Sequence, residues 1–236
     1  MIQVALEPCY VLHARSYRES SLLLETFSRD HGRVGLVARG ARGSRSRWRN
    51  LLQPFRPLLL SWNMRGELGT LTGAEQVASP PAAQGEALFC GLYVNELLLR
   101  SLHRSDPHPD LFESYRSLLT DLATVPQLQP VLRVFEMELL ESLGLGLQLQ
   151  TEHGTGAPIS PEARYRYVPE SGPVRIESAA AHHHNDRTLE VSGEALLALR
   201  DHQIDERHLR ELKRLMRSVL QFHLGDKPLK TLSLFH

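Results

Sequence analysis

Five arginines, one tryptophan, two glycines and no acid fall within the fourteen residues Val37–Asn50, VARGARGSRSRWRN. Guanidiniums neutralise phosphates and stack on nucleobases, and an indole among them offers a further stacking surface. Gly40 and Gly43 let the backbone approach a ligand. A solvated basic loop with Trp48 packed inward is the plain alternative. A second basic stripe lies near the C-terminus. Arg207, Arg210, Arg214 and Arg217 recur at helical spacing, Leu209, Leu212, Met216 and Val219 fall on another face, and Lys227 and Lys230 follow. Its plain alternative is an ordinary amphipathic helix with a charged outer face. The third conspicuous group, His182-His183-His184 before Asn185-Asp186, reads as a polar loop, because adjacent histidines cannot converge on one metal unless the backbone doubles back.

The chemistry that is missing narrows the field. The chain has no GxxxxGK[ST] phosphate loop, no GxSxG nucleophile elbow and no HExxH zinc helix. Its formal net charge is zero, but the charge is unevenly spread. Residues 1–66 hold eleven arginines against four acids, and residues 67–236 hold sixteen Lys and Arg against twenty-three acids. No Asp or Glu occurs between His31 and Gly66. Such separation favours a polyanion at the N-terminal part. At 42% hydrophobic and 23% charged the composition is that of a globular chain. The apolar runs are too short to cross a bilayer, the start MIQVALEPCY lacks the pattern of a signal peptide, and Cys9 and Cys90 read as buried free thiols. A cytoplasmic protein is expected, with no membrane partner.

The elements that must carry these residues follow from periodicity. Tyr10–Tyr17, Ser20–Ser28, Arg33–Arg39, Phe55–Trp62 and Glu67–Val77 read as five strands. On the first, Tyr10, Leu12 and Ala14 share one face and Val11, His13 and Arg15 the other; on the third, Arg33 and Arg39 share the face opposite Val34, Leu36 and Ala38. Turns are expected at Arg29–Gly32 and Asn63–Gly66, and short helical material over Arg47–Gln53. Five short strands with one long connection after the third fit the OB-fold, a small closed barrel. Ala78-Ser79-Pro80-Pro81 breaks the pattern. Helices are then expected over Glu86–His103, with Leu88, Leu92, Asn95, Leu99 and Leu102 as a stripe, and over Asp110–Leu122, Gln129–Leu143, Gly193–Asp201 and Glu206–Leu224. Residues 148–190 form an irregular insertion with short β pieces such as Tyr165–Val168. The expected class is α+β: an OB-fold barrel domain over 1–79, then a helical domain over 80–236 that carries the insertion.

Six segments, YVLHARSYRESSLLLETFSRDHGRV (10–34), LVARGAR (36–42), LLQPFRPLLL (51–60), GLYVNELL (91–98), LRVFEMELLESLG (132–144) and LGDKPLKTLSLF (224–235), resemble in order and spacing the RecO family of bacterial DNA repair proteins. The resemblance implies binding of single- and double-stranded DNA and annealing of complementary strands. It also implies cooperation with RecR in loading RecA onto strands coated by single-stranded-DNA-binding protein (SSB), and docking of the acidic, Phe-ended SSB tail on the helical domain. It makes the chain a recombination mediator in the cytoplasm, at the nucleoid, rather than an enzyme. Some members carry a four-cysteine zinc site in the insertion; TEHGTGAPISPEARYRYV (151–168) has no cysteine, so neither zinc nor any other cofactor is expected. The DNA-contacting residues expected are Arg33, Arg39, Arg42, Arg45, Arg47, Trp48, Arg49, Arg210, Arg214, Arg217, Lys227 and Lys230. Arg133, a cation early in a mostly apolar helix, is expected to hold the SSB tail carboxylate, the alternative being an ion pair with Glu136 or Glu138. Two other kinds of function stand beside this one: an OB module for structured RNA or a translation component, and a hydrolase or metal enzyme built on His182–His184.

Overall fold

A computed structural model describes residues 2–48, 50–78, 83–176, 189–225 and 227–235. Five strands, β1 (Ile2–Tyr17), β2 (Ser21–Ser28), β3 (Gly32–Ala38), β4 (Leu58–Arg65) and β5 (Leu68–Gln76), close into a barrel in the order β1-β2-β3-β5-β4. All pairings are antiparallel except β3 with β5. This closure is that of an OB-fold, as expected from the strand count. β1 is long because it serves two neighbours: residues 2–9 pair with β4 and residues 9–17 with β2. The barrel is filled by Val11, Leu24, Val34, Leu36, Leu58, Leu60, Trp62 and Leu71, the inward members of alternating strands.

Three local expectations are corrected. β4 runs on through Asn63, Met64 and Arg65, and the turn is Gly66-Glu67, because both strands stay hydrogen-bonded until Arg65 meets Leu68. The described residues of 47–53 form turns and a bend rather than a helix; the N–H groups of Leu51 and Leu52 both donate to the Trp48 carbonyl. The alternation of β1 breaks at a bulge between Val11 and His13. The extra residue, Leu12, is buried, and beyond it the faces exchange, so that Tyr10, His13, Arg15 and Tyr17 share the outer face.

The chain forms two compact units, residues 1–125 with 229–236, and residues 126–228. In the first, α1 (Glu86–Ser101) and α2 (Pro109–Thr124) accompany the barrel, together with a C-terminal 3-10 helix, Lys230–Phe235. Of the expected stripe Asn95 and Leu102 are buried, but Leu88 is 37% exposed and Leu92 and Leu99 only half-buried; the rest of the buried face of α1 is Cys90, Tyr93, Val94, Leu97 and Leu98. Two contacts fix that rotation. A Cβ on Gly91 would come within 2.9 Å of the Phe55 ring, so this turn of the helix can lie flat against the aromatic. Asn95 donates to the Leu12 carbonyl (2.9 Å) and accepts from the Tyr115 hydroxyl (2.6 Å), tying β1, α1 and α2 together through a buried polar chain.

The second unit holds α3 (Leu128–Ser142), the small sheet β7-β6-β8 (Gly172–Arg175, Arg164–Val168, Glu190–Ser192), α4 (Gly193–Arg200) and α5 (Glu206–Leu224). α5 packs on α3 and α4 through Leu212, Leu215, Met216, Val219 and Leu220. The sheet is organised around the buried Glu152 carboxylate, which accepts hydrogen bonds from the Tyr165 hydroxyl (2.9 Å), Thr155 Oγ1 (2.9 Å) and Arg175 Nη1 (3.2 Å). The Tyr165 hydrogen bond above all holds that carboxyl below its ordinary range, against the opposing effect of burial.

Candidate nucleic-acid interface

The register of β1, β2 and β3 sets out their outer face row by row: Tyr10–Phe27–Arg33, His13–Glu25–Gly35, Arg15–Leu23–Val37, and Tyr17–Ser21 continued by Arg39 just past the end of β3. OB barrels commonly bind oligonucleotides on this face and the adjoining loops. Here its lower half is covered except at His13, which is exposed. Tyr10 and Phe27 stack against Phe112 and Tyr115 of α2, with ring centroids 5.1–6.2 Å apart. Arg33 pairs with Glu25 (3.1 Å), and its Nη1 donates to the last carbonyls of α1, Leu99 and Leu102. Arg104 takes the other Glu25 oxygen and lies where a side chain on Gly35 would project. Arg33 is therefore a C-terminal cap for α1, half-buried beneath it.

The long connection after β3 behaves differently. Ala41 is buried, and the Arg42 N–H donates to the Ser20 carbonyl (2.9 Å) while its guanidinium reaches the Glu19 carbonyl (3.1 Å), so the loop is fastened to the β1–β2 turn. Farther on, Trp48 and Leu52 enter the barrel core. At and between these anchors Arg42, Arg45 and Arg47 are exposed, as is Arg39 just before them, and among the described residues none of the four forms an ion pair. Trp48 is 9% exposed, and the Arg47 guanidinium lies over its ring at 4.1 Å. The indole anchors the loop rather than offering an open stacking surface. Arg49 lies outside the described residues.

On α5, Arg210, Arg214 and Arg217 are exposed, as are Lys227 and Lys230 beyond it. Arg207 instead pairs with Glu194 (2.6 Å) and Asp205 (3.5 Å). The sequence reading passed over Lys213, which the helical spacing places on the same exposed face as Arg210 and Arg217. It also passed over Arg15 and Arg18, both exposed beside the Arg42 loop; the bulge in β1, which turns Arg15 outward together with Tyr17, has no signal in the residue pattern.

Arg133 is not a surface cation. It is 5% exposed, and its Nη2 lies 2.7 Å from Oε1 of Glu136, itself fully buried. The expected alternative, pairing with Glu136, is thus what the fold adopts, but inside the unit rather than on its surface. His182, His183 and His184 lie outside the described residues, and among the described residues no three His, Cys, Asp or Glu side chains are grouped to hold a metal ion. Cys9 and Cys90 are buried, and burial pushes the Cys9 thiol well above its ordinary range. No helix among the described residues is long and apolar enough to cross a membrane.

A closed OB barrel with an acid-free, arginine-bearing loop, continued into helices and a small inserted sheet, defines an OB-fold protein with a helical C-terminal part. Comparison with known proteins narrows that class. Residues 1–80 match the family described as recombination protein O N terminal, and residues 82–233 match recombination protein O C terminal. The chain is 49% identical to the DNA repair protein RecO of Nitrosococcus oceani, over 98% of this chain and 92% of the relative. It is 47% identical to that of Methylococcus capsulatus, over 99% and 93%, and 43% identical to that of Coxiella burnetii, over 97% of each. The chain belongs to the RecO family of DNA repair and recombination proteins.

Proposed function

We propose that this chain is a recombination mediator that makes and breaks no covalent bond. It binds single- and double-stranded DNA, anneals complementary strands and, with RecR, helps RecA onto strands coated by SSB. The observation that carries this reading is the exposed, ion-pair-free set Arg39, Arg42, Arg45 and Arg47 on an OB barrel of a RecO-family chain. Annealing brings two polyanions together. Guanidiniums that contact phosphates lower the repulsion, release counterions and leave base edges free to pair. In the second unit the exposed Arg210, Lys213, Arg214, Arg217 and Lys227 are further cations for the same ligand, and in the first unit the exposed Lys230 is another. The SSB tail, RecR and RecA enter through the family resemblance alone, and an SSB tail held by Arg133 has to compete with Glu136 for the guanidinium.

The test is annealing of SSB-coated complementary oligonucleotides by wild type and by a variant with Arg39, Arg42, Arg45 and Arg47 all changed to Gln. Wild type is expected to anneal and the variant to be impaired. The log–log salt slope of single-strand binding should fall by roughly 2–3 units, at about 0.7 per phosphate contact. Failure of wild type to anneal, or equal slopes for the two proteins, would overturn the reading. Preferential binding of structured RNA by wild type would favour the OB module for RNA instead.

A further inference from the structure

We infer that the open half of the β1–β2–β3 outer face is a base-stacking platform for a single DNA strand, with Tyr17 as the stacking ring and Arg15, Arg18 and Arg39 as its flanking phosphate contacts. The inference rests on the DNA-binding reading above and assigns the aromatic that reading lacks. α2 and the last turn of α1 cover the two lower rows of this face, except at His13, through Tyr10, Phe27, Arg33 and Glu25. In the two upper rows, Arg15–Leu23–Val37 and Tyr17–Ser21 with Arg39 beyond β3, Arg15 and Arg39 are exposed and Tyr17 and Val37 half-exposed, flanking the buried Leu23 and Ser21. Paired residues point to the same side of a sheet, so Arg15 and Tyr17 project together, and Arg39 follows Ala38, the last paired residue of β3, two strands or about 10 Å from Tyr17.

The electrostatics suit a polyanion. The carboxylate on this face, Glu25, is already held by Arg33 and Arg104, whereas neither Arg15 nor Arg39 has an ion pair among the described residues. Tyr17 is half-exposed, and the Arg18 guanidinium lies 5.2 Å from its ring centroid. A planar cation thus already occupies the position a base would take. Arg18 stands on the exposed β1–β2 turn, from which it can move to a phosphate as the base enters. The Arg47 guanidinium likewise lies over the Trp48 ring, but Trp48 is buried in the barrel core and leaves less ring surface to a base than the half-exposed Tyr17. A phenol ring flanked by cations on neighbouring strands takes any base, since every base has a stacking face.

The experiment compares Tyr17→Ala, Tyr17→Phe and wild type for binding to a thymine oligonucleotide and to an abasic strand of the same length and charge. Tyr17→Ala should weaken binding to the thymine strand about tenfold. Its affinity for the abasic strand and its salt slope should stay at the wild-type values, and Tyr17→Phe should match wild type on both strands. Equal affinity of Tyr17→Ala and wild type for the thymine strand, or an equal loss on the two strands, would overturn the inference. A Tyr17→Trp variant reads the contact directly: its emission, measured against wild type, should be quenched at saturating thymine strand and unchanged by the abasic one. No quenching would also overturn it. The DNA-binding reading fails separately, through absence of single-strand binding by wild type.

Discussion

Arg133 and Glu136 lie one helical turn apart on α3, and both are removed from solvent. Neither residue would be stable there alone, since a buried charge that loses its partner is costly. Arg133→Ala should therefore lower unfolding free energy by about 3 kcal/mol or more. Replacing the pair together, Arg133→Met with Glu136→Leu, should recover most of that loss. Urea unfolding of the three proteins checks both statements, and wild-type stability for Arg133→Ala would show that the pair contributes nothing. Loss of SSB-tail binding in Arg133→Ala is accordingly meaningful only if the double variant, which is folded but lacks the guanidinium, loses it too. Arg33 and Trp48 teach the same lesson. Residue type identified all three as capable of meeting an anion or a base. It could not say that a carboxylate three positions away, two helix carbonyls and a barrel core would claim them first.

At the scale of elements, the periodicity was sound wherever it was uninterrupted. The barrel, the later strands and five helices lie close to their expected positions, because the inward residues of β2, β3 and α5 alternate or recur without a break, whereas β1 begins at Ile2, eight residues before its expected start, with the part that pairs with β4. It misled at β1, where one extra residue reverses the faces, and at α1, where Asn95 and Gly91 rather than leucine content set the rotation. It also could not foresee what the last segment does. The Glu96 carboxylate of α1 accepts the N–H groups of Lys230 (2.9 Å) and Thr231 (2.8 Å) and the Thr231 hydroxyl (2.7 Å), capping the C-terminal 3-10 helix. Burial acts to raise the Glu96 pKa, but these hydrogen bonds outweigh it and hold the carboxyl below its ordinary range. Its folded pKa lying below its unfolded one, Glu96 contributes stability above the unfolded pKa of about 4.3, and that contribution fades as pH falls through the folded value. Hydrogen exchange at Thr231 should accordingly quicken on acidification relative to the intrinsic rate. Glu96→Gln should show the faster exchange already at neutral pH, and identical protection in the two proteins at pH 7 would contradict the capping role.

For the whole molecule, zero net charge conceals a positive N-terminal part and a negative remainder, so the isoelectric point near 7.2 says little about which ligand is bound. The insertion is held by the Glu152 hydrogen bonds, and residues 151–168 contain no thiolate. Chelator should therefore leave the melting temperature unchanged and elemental analysis should find no stoichiometric zinc; a one-to-one zinc content would refute this. The grouping of residues 229–236 with 1–125 bears on biosynthesis. Residues 126–228 are interposed between two parts of one folding unit, so a growing polypeptide has made the barrel, α1 and α2 long before the segment that Glu96 fastens leaves the ribosome. The contact that caps the last segment can therefore form only after residues 126–228 have been translated.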